Sequence, residues 1–180
     1  MMSNMFNSPS KPFYQSAISM GLEPIPKEIY TDFACRLFEE NEKHLQKEVA
    51  EAIWQLYNGY TWFVQMMMNE LYALTPQHGT CQQTMIEEAR RNVILSQEES
   101  YKDLLSNLPP KQKIVLQAIA KEGVAHNITS VKFIKKYNLK SASSVQAAVK
   151  LLLKNDLITQ NDGNYRVYDY FLADWLTTIY

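Results

Sequence analysis

The sequence predicts a mainly α-helical chain, a helical bundle followed by a second helical unit that ends in a small β-hairpin. Three observations carry this reading. Long segments place apolar residues at helical spacing, glycine is scarce at five in 180 residues, and a single Asp-Gly turn is flanked by two short β-prone runs. At 46% hydrophobic and 21% charged, the chain can build one or two ordinary cores. That balance excludes a disordered chain or a collagen-like repeat.

Residues 1–26 hold four of the seven prolines: Pro9, Pro12, Pro24 and Pro26. Between them, Phe13 to Ile18 has the character of a short strand, yet no pairing strand lies near it in sequence. A lone strand leaves its backbone groups unpaired and is unstable by itself. The segment therefore reads as a tail, or as one strand of a sheet whose other strands lie outside this chain.

From Pro26 the pattern is helical. Ile29, Phe33, Leu37 and Phe38 form one apolar face of a first helix, which ends in the polar run Glu39 to Glu42. Val49, Ile53, Leu56 and Tyr57 define a second helix, stopped by the left-handed pair Asn58-Gly59. Thr61 opens a third, apolar nearly all round and so expected at the centre of a bundle. Its Met66-Met67-Met68 run, and Trp54 and Trp62 on either side of Gly59, are expected in the core. Thr80 is placed to cap a fourth, longer helix with Met85, Ile86, Ala89, Val93 and Ile94 inward, and Tyr101 to Leu108 continue the pattern to Pro109-Pro110.

That diproline marks a boundary. Beyond it, Ile114 to Ile119 form a helix ended by Gly123. Thr129 caps a short helix through Phe133 and Tyr137, and Ser141 opens another with Val145, Ala148, Val149 and Leu152 on its apolar side. Leu157 to Thr159 and Tyr165 to Tyr168 then pair across Asp162-Gly163. Helix, helix, turn, helix, hairpin is the order of a winged helix. Phe171, Leu172, Trp175 and Leu176 follow on one helical face, and with Tyr168 are expected to fold back onto the bundle or the wing.

The charge is segregated. Residues 1–107 carry 8 Lys/Arg against 14 Asp/Glu, and residues 108–180 carry 10 against 5, within a net charge of -1. A basic second half admits an anionic partner. The helix opened by Ser141 presents Ser143, Gln146, Lys150 and Lys154 away from its apolar side, and Lys132, Lys135, Lys136 and Lys140 precede it. Such side chains bond phosphates and base edges, but the helix lacks the arginine that makes the commonest specific base contact. Weak DNA contact and a protein-docking face both stay open.

Catalytic signals are absent from the sequence. It has no Gly-x-x-x-x-Gly-Lys-Ser/Thr loop and no Gly-x-Ser-x-Gly. His44, His78 and His126 are scattered outside any metal-ligand frame, so no metal site is expected. Glu39, Glu40 and Glu42 read as a solvated face. Cys35 and Cys81 stand alone, which suits a reducing compartment and a cytoplasmic protein, and no apolar run is long enough to span a membrane. The chain is not expected to be an enzyme.

Several stretches resemble a known family. Leu108 through Lys113 with Leu116 through Gly123, then Leu139 through Ala148, then Tyr165 through Leu176 look like the C-terminal end of archaeal-type P-loop ATPases and their bacterial members, relatives of the AAA+ and STAND ATPases. The family's last segment reads Val-Tyr-Asp-x-Phe-Phe-x-x-Trp-Leu, close to Val167 through Leu176. Pro12 to Ser16 and Met20 to Ile25 resemble its last core strand and exit.

The resemblance implies a core-strand remnant and linker over 1–26, a helical lid over 27–107 and a winged-helix domain with a C-terminal helix over 108–180. It implies that the nucleotide-binding core lies upstream, so that ATP and Mg belong to a full-length parent and no cofactor to this chain. Gly59 and Thr61 match the place of the lid's Gly-x-Pro near the nucleotide, with threonine for proline. On this reading the chain is a non-catalytic regulatory or interaction region whose partners are the upstream ATPase core, DNA or a further copy of itself. The alternative is a free-standing winged-helix regulator with a helical dimerisation domain.

Overall fold

The computed structural model describes residues 23–178. The strand expected over Phe13 to Ile18, and with it most of the core-strand remnant assigned to 1–26, lies outside the described residues. Those residues form eight α-helices, one hairpin and one short parallel pairing.

Helix α1 (Lys27–Glu39) starts at Pro26, whose ring presets φ and whose carbonyl accepts from the Tyr30 N–H. Its inward face differs from the expected one. Tyr30, Thr31, Ala34 and Phe38 are buried, whereas Ile29, Phe33 and Leu37 are exposed. The helix packs on α2 (Lys47–Leu56) through the row carrying Thr31 and Ala34, whose small side chains permit close approach, and the larger apolar row is left outward. In α2, Val49, Ala50 and Ile53 are buried together with Tyr57 just beyond it, and Leu56 faces out.

The chain stops α2 with two left-handed residues, Asn58 at φ 50° and Gly59 at φ 70°, and the Gly59 N–H donates to the Trp54 carbonyl at 2.8 Å. Helix α3 (Thr61–Leu74) then buries Phe63, Val64, Met67, Met68 and Leu71. The methionine run is core as expected, with Met66 half-buried. The tryptophans are not. Trp62 is 53% exposed, and Trp54 lies half-buried over Gly59, its Nε1–H donating to the Ile25 carbonyl at 3.0 Å.

Thr80 does not cap the fourth helix. It belongs to β2 (Thr80–Cys81), which pairs in parallel with β1 (His44–Leu45), and a 3₁₀ turn over Gln83–Met85 leads into α4 (Ile86–Asn107). The pairing ties the α1–α2 connection to the one after α3, a non-local contact that helical periodicity cannot announce.

After α4, Pro110 occupies the first position of α5 (Pro110–Glu122), where its missing N–H costs nothing, and Gly123 ends the helix at φ 65°. Ser130, not Thr129, caps α6 (Val131–Lys136), its Oγ accepting from the Phe133 N–H. Ser141 caps α7 (Ala142–Lys154), which buries Val145, Ala148, Val149 and Leu152. Strands β3 (Ile158–Asn161) and β4 (Asn164–Val167) pair in antiparallel register, and the two turn residues Asp162 and Gly163 have φ of 48° and 78°, the left-handed pair that a tight hairpin needs.

Helix α8 (Tyr170–Thr178) is capped by Asp169, whose Oδ1 accepts from the N–H groups of Phe171 and Leu172. Phe171, Leu172, Trp175 and Leu176 are buried against α4 and α5, whereas Tyr168, expected to join them, lies before the helix and is exposed. Trp175 packs on Tyr101 with ring centroids 5.5 Å apart, and Phe171 meets Tyr57 and Phe63. Arg90 grips Asp174 through two nitrogens, Nε to Oδ2 at 2.7 Å and Nη2 to Oδ1 at 2.5 Å. Helix α8 therefore touches both halves of the chain. Trp175→Ala is expected to cost about 3–5 kcal/mol, as truncation of a buried Trp does. A thermal or denaturant melt measures it, and an unchanged midpoint would show that α8 is not docked.

Candidate functional site

The sequence singles out one exposed face, that of α7, and the structure places its residues around two shallow grooves. Ser143, Gln146, Ala147, Lys150 and Lys154 are all exposed. On one side, Gln146 and Lys150 meet the wing tip at Gly163 across a groove of about 400 Å³. On the other, Lys140 and Ser143 line a groove of about 780 Å³ with Lys111, Gln112, Ser141 and Ser144, where the N-terminal ends of α5 and α7 lie side by side. The partial positive charge of two helix starts adds there to two ammonium groups. Chemically the face offers hydroxyl, amide and ammonium donors at modest density, with Asp162 as an acidic neighbour at the wing tip.

The lysines of α6 divide. Lys132 and Lys135 are exposed. Lys136 is turned back onto α5, its Nζ donating to Glu122 Oε1 at 2.7 Å and lying 5.2 Å from the centre of the Tyr137 ring. The Tyr137 hydroxyl donates to the same oxygen at 2.7 Å. These hydrogen bonds, Lys136 first, hold the Glu122 carboxyl below the usual carboxylate range, and the bond to Glu122 raises the Lys136 ammonium. Lys136 thus differs from its neighbours in having a carboxylate already bound.

Gly59 and Thr61 do not share a surface. Gly59 is buried with positive φ, and a Cβ there would lie 2.6 Å from the Trp54 ring, so the glycine answers to packing. Thr61 opens instead onto the groove beside α1. No group of three or more His, Cys, Asp or Glu among the described residues is placed to hold a metal ion. The two cysteines are free thiols, raised mainly by burial, and no described helix is long and apolar enough to cross a membrane. Glu39 and Glu42 lie at the surface, close to His44 and His78 respectively.

One constellation was missed from sequence. Arg166, the only arginine after residue 107, lines a cleft of about 400 Å³ between the α2–α3 turn and the hairpin, together with Asn58, Tyr60, Tyr168 and Tyr170. Asn58 Nδ2 donates to the Tyr170 hydroxyl at 2.8 Å across that cleft. Arg166 belongs to a strand whose neighbours look unremarkable in sequence, and only the fold brings the α2–α3 turn to it.

A family described as "Probable winged helix domain" matches residues 99–178. The second half of the chain is a winged helix. Its match begins within α4, whose last turns pack on α8. The fold of the whole described chain is similar to that of a Walker-type ATPase of Pyrococcus abyssi, with a TM-score of 0.66 and 19% identity over 95% of this chain. At that identity the likeness is one of fold, and the chain spans 47% of the ATPase's length. It agrees with the family resemblance carried by Leu108 through Leu176. No curated protein matches the chain.

The packing role of Gly59 is directly testable. Gly59→Ala combines a disfavoured φ with a Cβ driven into Trp54 and is expected to destabilise by about 1–3 kcal/mol. A denaturant melt measures the loss, and a stability within about 0.5 kcal/mol of the parent would show that the turn has room to relax.

Proposed function

We propose that this chain is a non-catalytic regulatory and interaction region of a P-loop ATPase. Residues 27–107 serve as the helical lid and residues 108–180 as a winged helix for protein or weak DNA contact. One observation supports it most: the fold likeness to a Walker-type ATPase runs through both bundle and wing, 95% of this chain, while taking up 47% of that protein. A nucleotide-binding core then supplies the phosphate loop and Mg site that this sequence lacks, and it is the partner the lid works against. Phosphoryl transfer depends on those parts for positioning and charge stabilisation. ATP turnover is accordingly assigned to the core and not to these residues.

Calorimetry of the full chain with Mg-ATP is expected to show no binding at micromolar concentrations. A micromolar affinity would overturn the assignment of nucleotide chemistry to an upstream core.

For the wing, Lys132, Lys135, Lys140, Lys150 and Lys154 present ammonium groups around a face without arginine, and Ser143 and Gln146 add neutral donors. Phosphate contact without strong sequence choice follows. With ~4 phosphates engaged, the logarithm of affinity is expected to fall against log salt with a slope near about -3.6. Lys150→Ala should flatten that slope by roughly 0.9. Fluorescence anisotropy with a duplex at several salt concentrations reads both quantities. Absence of binding at low salt would leave the wing as a protein-docking surface.

A further inference from the structure

The hairpin has two working faces. Successive strand residues point to opposite sides, so Asn164 and Arg166 face one way and Tyr165 the other. Across the ladder, Thr159 stands opposite Arg166 and Asn161 opposite Asn164. Arg166 looks onto the α2–α3 turn and lines the cleft of about 400 Å³ there, whereas Tyr165 lines the groove beside α7. Among the described residues the Arg166 side chain makes no ion pair, hydrogen bond or ring contact. No carboxylate lines its cleft. Asp169, close by in sequence, is already engaged: its Oδ1 accepts from two N–H groups of α8 and its Oδ2 from the Tyr101 hydroxyl. An unpaired guanidinium in a recess without acids favours an anion.

Aromatic rings share that recess. Tyr170 is held by Asn58, and its ring lies 6.1 Å from that of Tyr60 and 5.0 Å from that of Phe63. These rings brace one another before any ligand arrives. Tyr60 and Tyr168 are each 53% exposed, and the Tyr168 ring meets no other ring among the described residues. Its face is therefore open to stacking. Thr159 and Asn161 add a hydroxyl and an amide at the rim.

We propose that this cleft binds one unpaired nucleotide of a single-stranded nucleic acid, with Arg166 on the phosphate and the base stacked on Tyr168. The combination of features selects that ligand. Stacking platforms beside a cation are what single strands use, because every base has a π-face and every link a phosphate. In a duplex those faces are covered by neighbouring bases, so only an unpaired strand offers one. An acidic peptide would pair Arg166 yet leave the exposed tyrosine faces without a planar partner. The hydroxyl and amide at the rim match the donors and acceptors of a base edge. The site uses none of the lysines around α7 and lies on the other face of β4. It therefore stands apart from the duplex contact assigned to the wing, and either can fail alone.

Fluorescence anisotropy of the full chain with a short fluorescein-labelled oligothymidylate at low salt tests it. The strand is expected to bind. Tyr168→Ala is expected to weaken binding roughly 5- to 100-fold, as loss of one base–aromatic stack does. Arg166→Gln is expected to flatten the slope of log affinity against log salt by about 0.7, the share of one phosphate on a single strand. Both side chains are exposed, so the fold should survive, which circular dichroism checks. Lys150→Ala is expected to leave strand binding unchanged. No binding at low salt, or binding indifferent to both substitutions in the cleft, overturns the proposal. So does an equal loss in Lys150→Ala, which would put the strand on α7. Adenosine monophosphate competing as well as the strand, nucleotide for nucleotide, would assign the cleft to a free nucleotide. Equal competition by a polyglutamate peptide would assign it to an acidic protein segment. Either of these results also overturns it.

Discussion

The placement of α8 is the constraint on which the rest depends. Phe171 inserts among Tyr57 and Phe63 of the bundle, Trp175 covers Tyr101 of α4, and Leu172 and Leu176 complete the packing with α5. Without α8, the facing sides of the bundle and the wing would both expose aromatic and aliphatic surface. The Arg90–Asp174 pair adds direction to this burial. A bidentate guanidinium–carboxylate contact accepts only one orientation of α8 about its axis, whereas apolar packing alone tolerates several. Bundle and wing thus share a single continuous core.

Much of this architecture was legible in the sequence because local rules governed it. Asn58-Gly59, Pro110, Gly123 and Asp162-Gly163 each demanded a backbone geometry that few other residues adopt, and each stop, start or turn stands where that demand placed it. The apolar faces of α7 and α8 followed from period alone, since the residues that each helix buries are the ones that its spacing puts on one side. The α1 face did not. Its periodicity showed an apolar stripe but could not say which side met α2, because Thr31 and Ala34 win the contact by being small. Likewise, Thr80 carried the chemistry of a cap, yet its backbone went to the pairing with His44, far earlier in the chain, which no local rule encodes.

The candidate site divides along the same line. The exposed face of α7 could be read from spacing, since Ser143, Gln146, Lys150 and Lys154 fall opposite the buried row. What surrounds that face could not. Only the fold sets the wing tip against Gln146, the start of α5 against Lys140, and Glu122 against Lys136. Gly59 carries a requirement of its own: its positive φ and the closeness of the Trp54 ring leave no room for a Cβ, which only the fold shows.

The contacts of α8 also impose an order in time. The Asn58–Tyr170 bond joins residues 112 apart, and Arg90–Asp174 joins residues 84 apart. Closing such loops adds little to the final free energy, because the entropic cost grows only with the logarithm of loop length. It weighs more heavily on rate, since chains rich in distant contacts fold slowly. Hairpin, helix caps and neighbouring helices can assemble from what lies beside them. The seam that makes them one body must wait for its far-separated partners to meet.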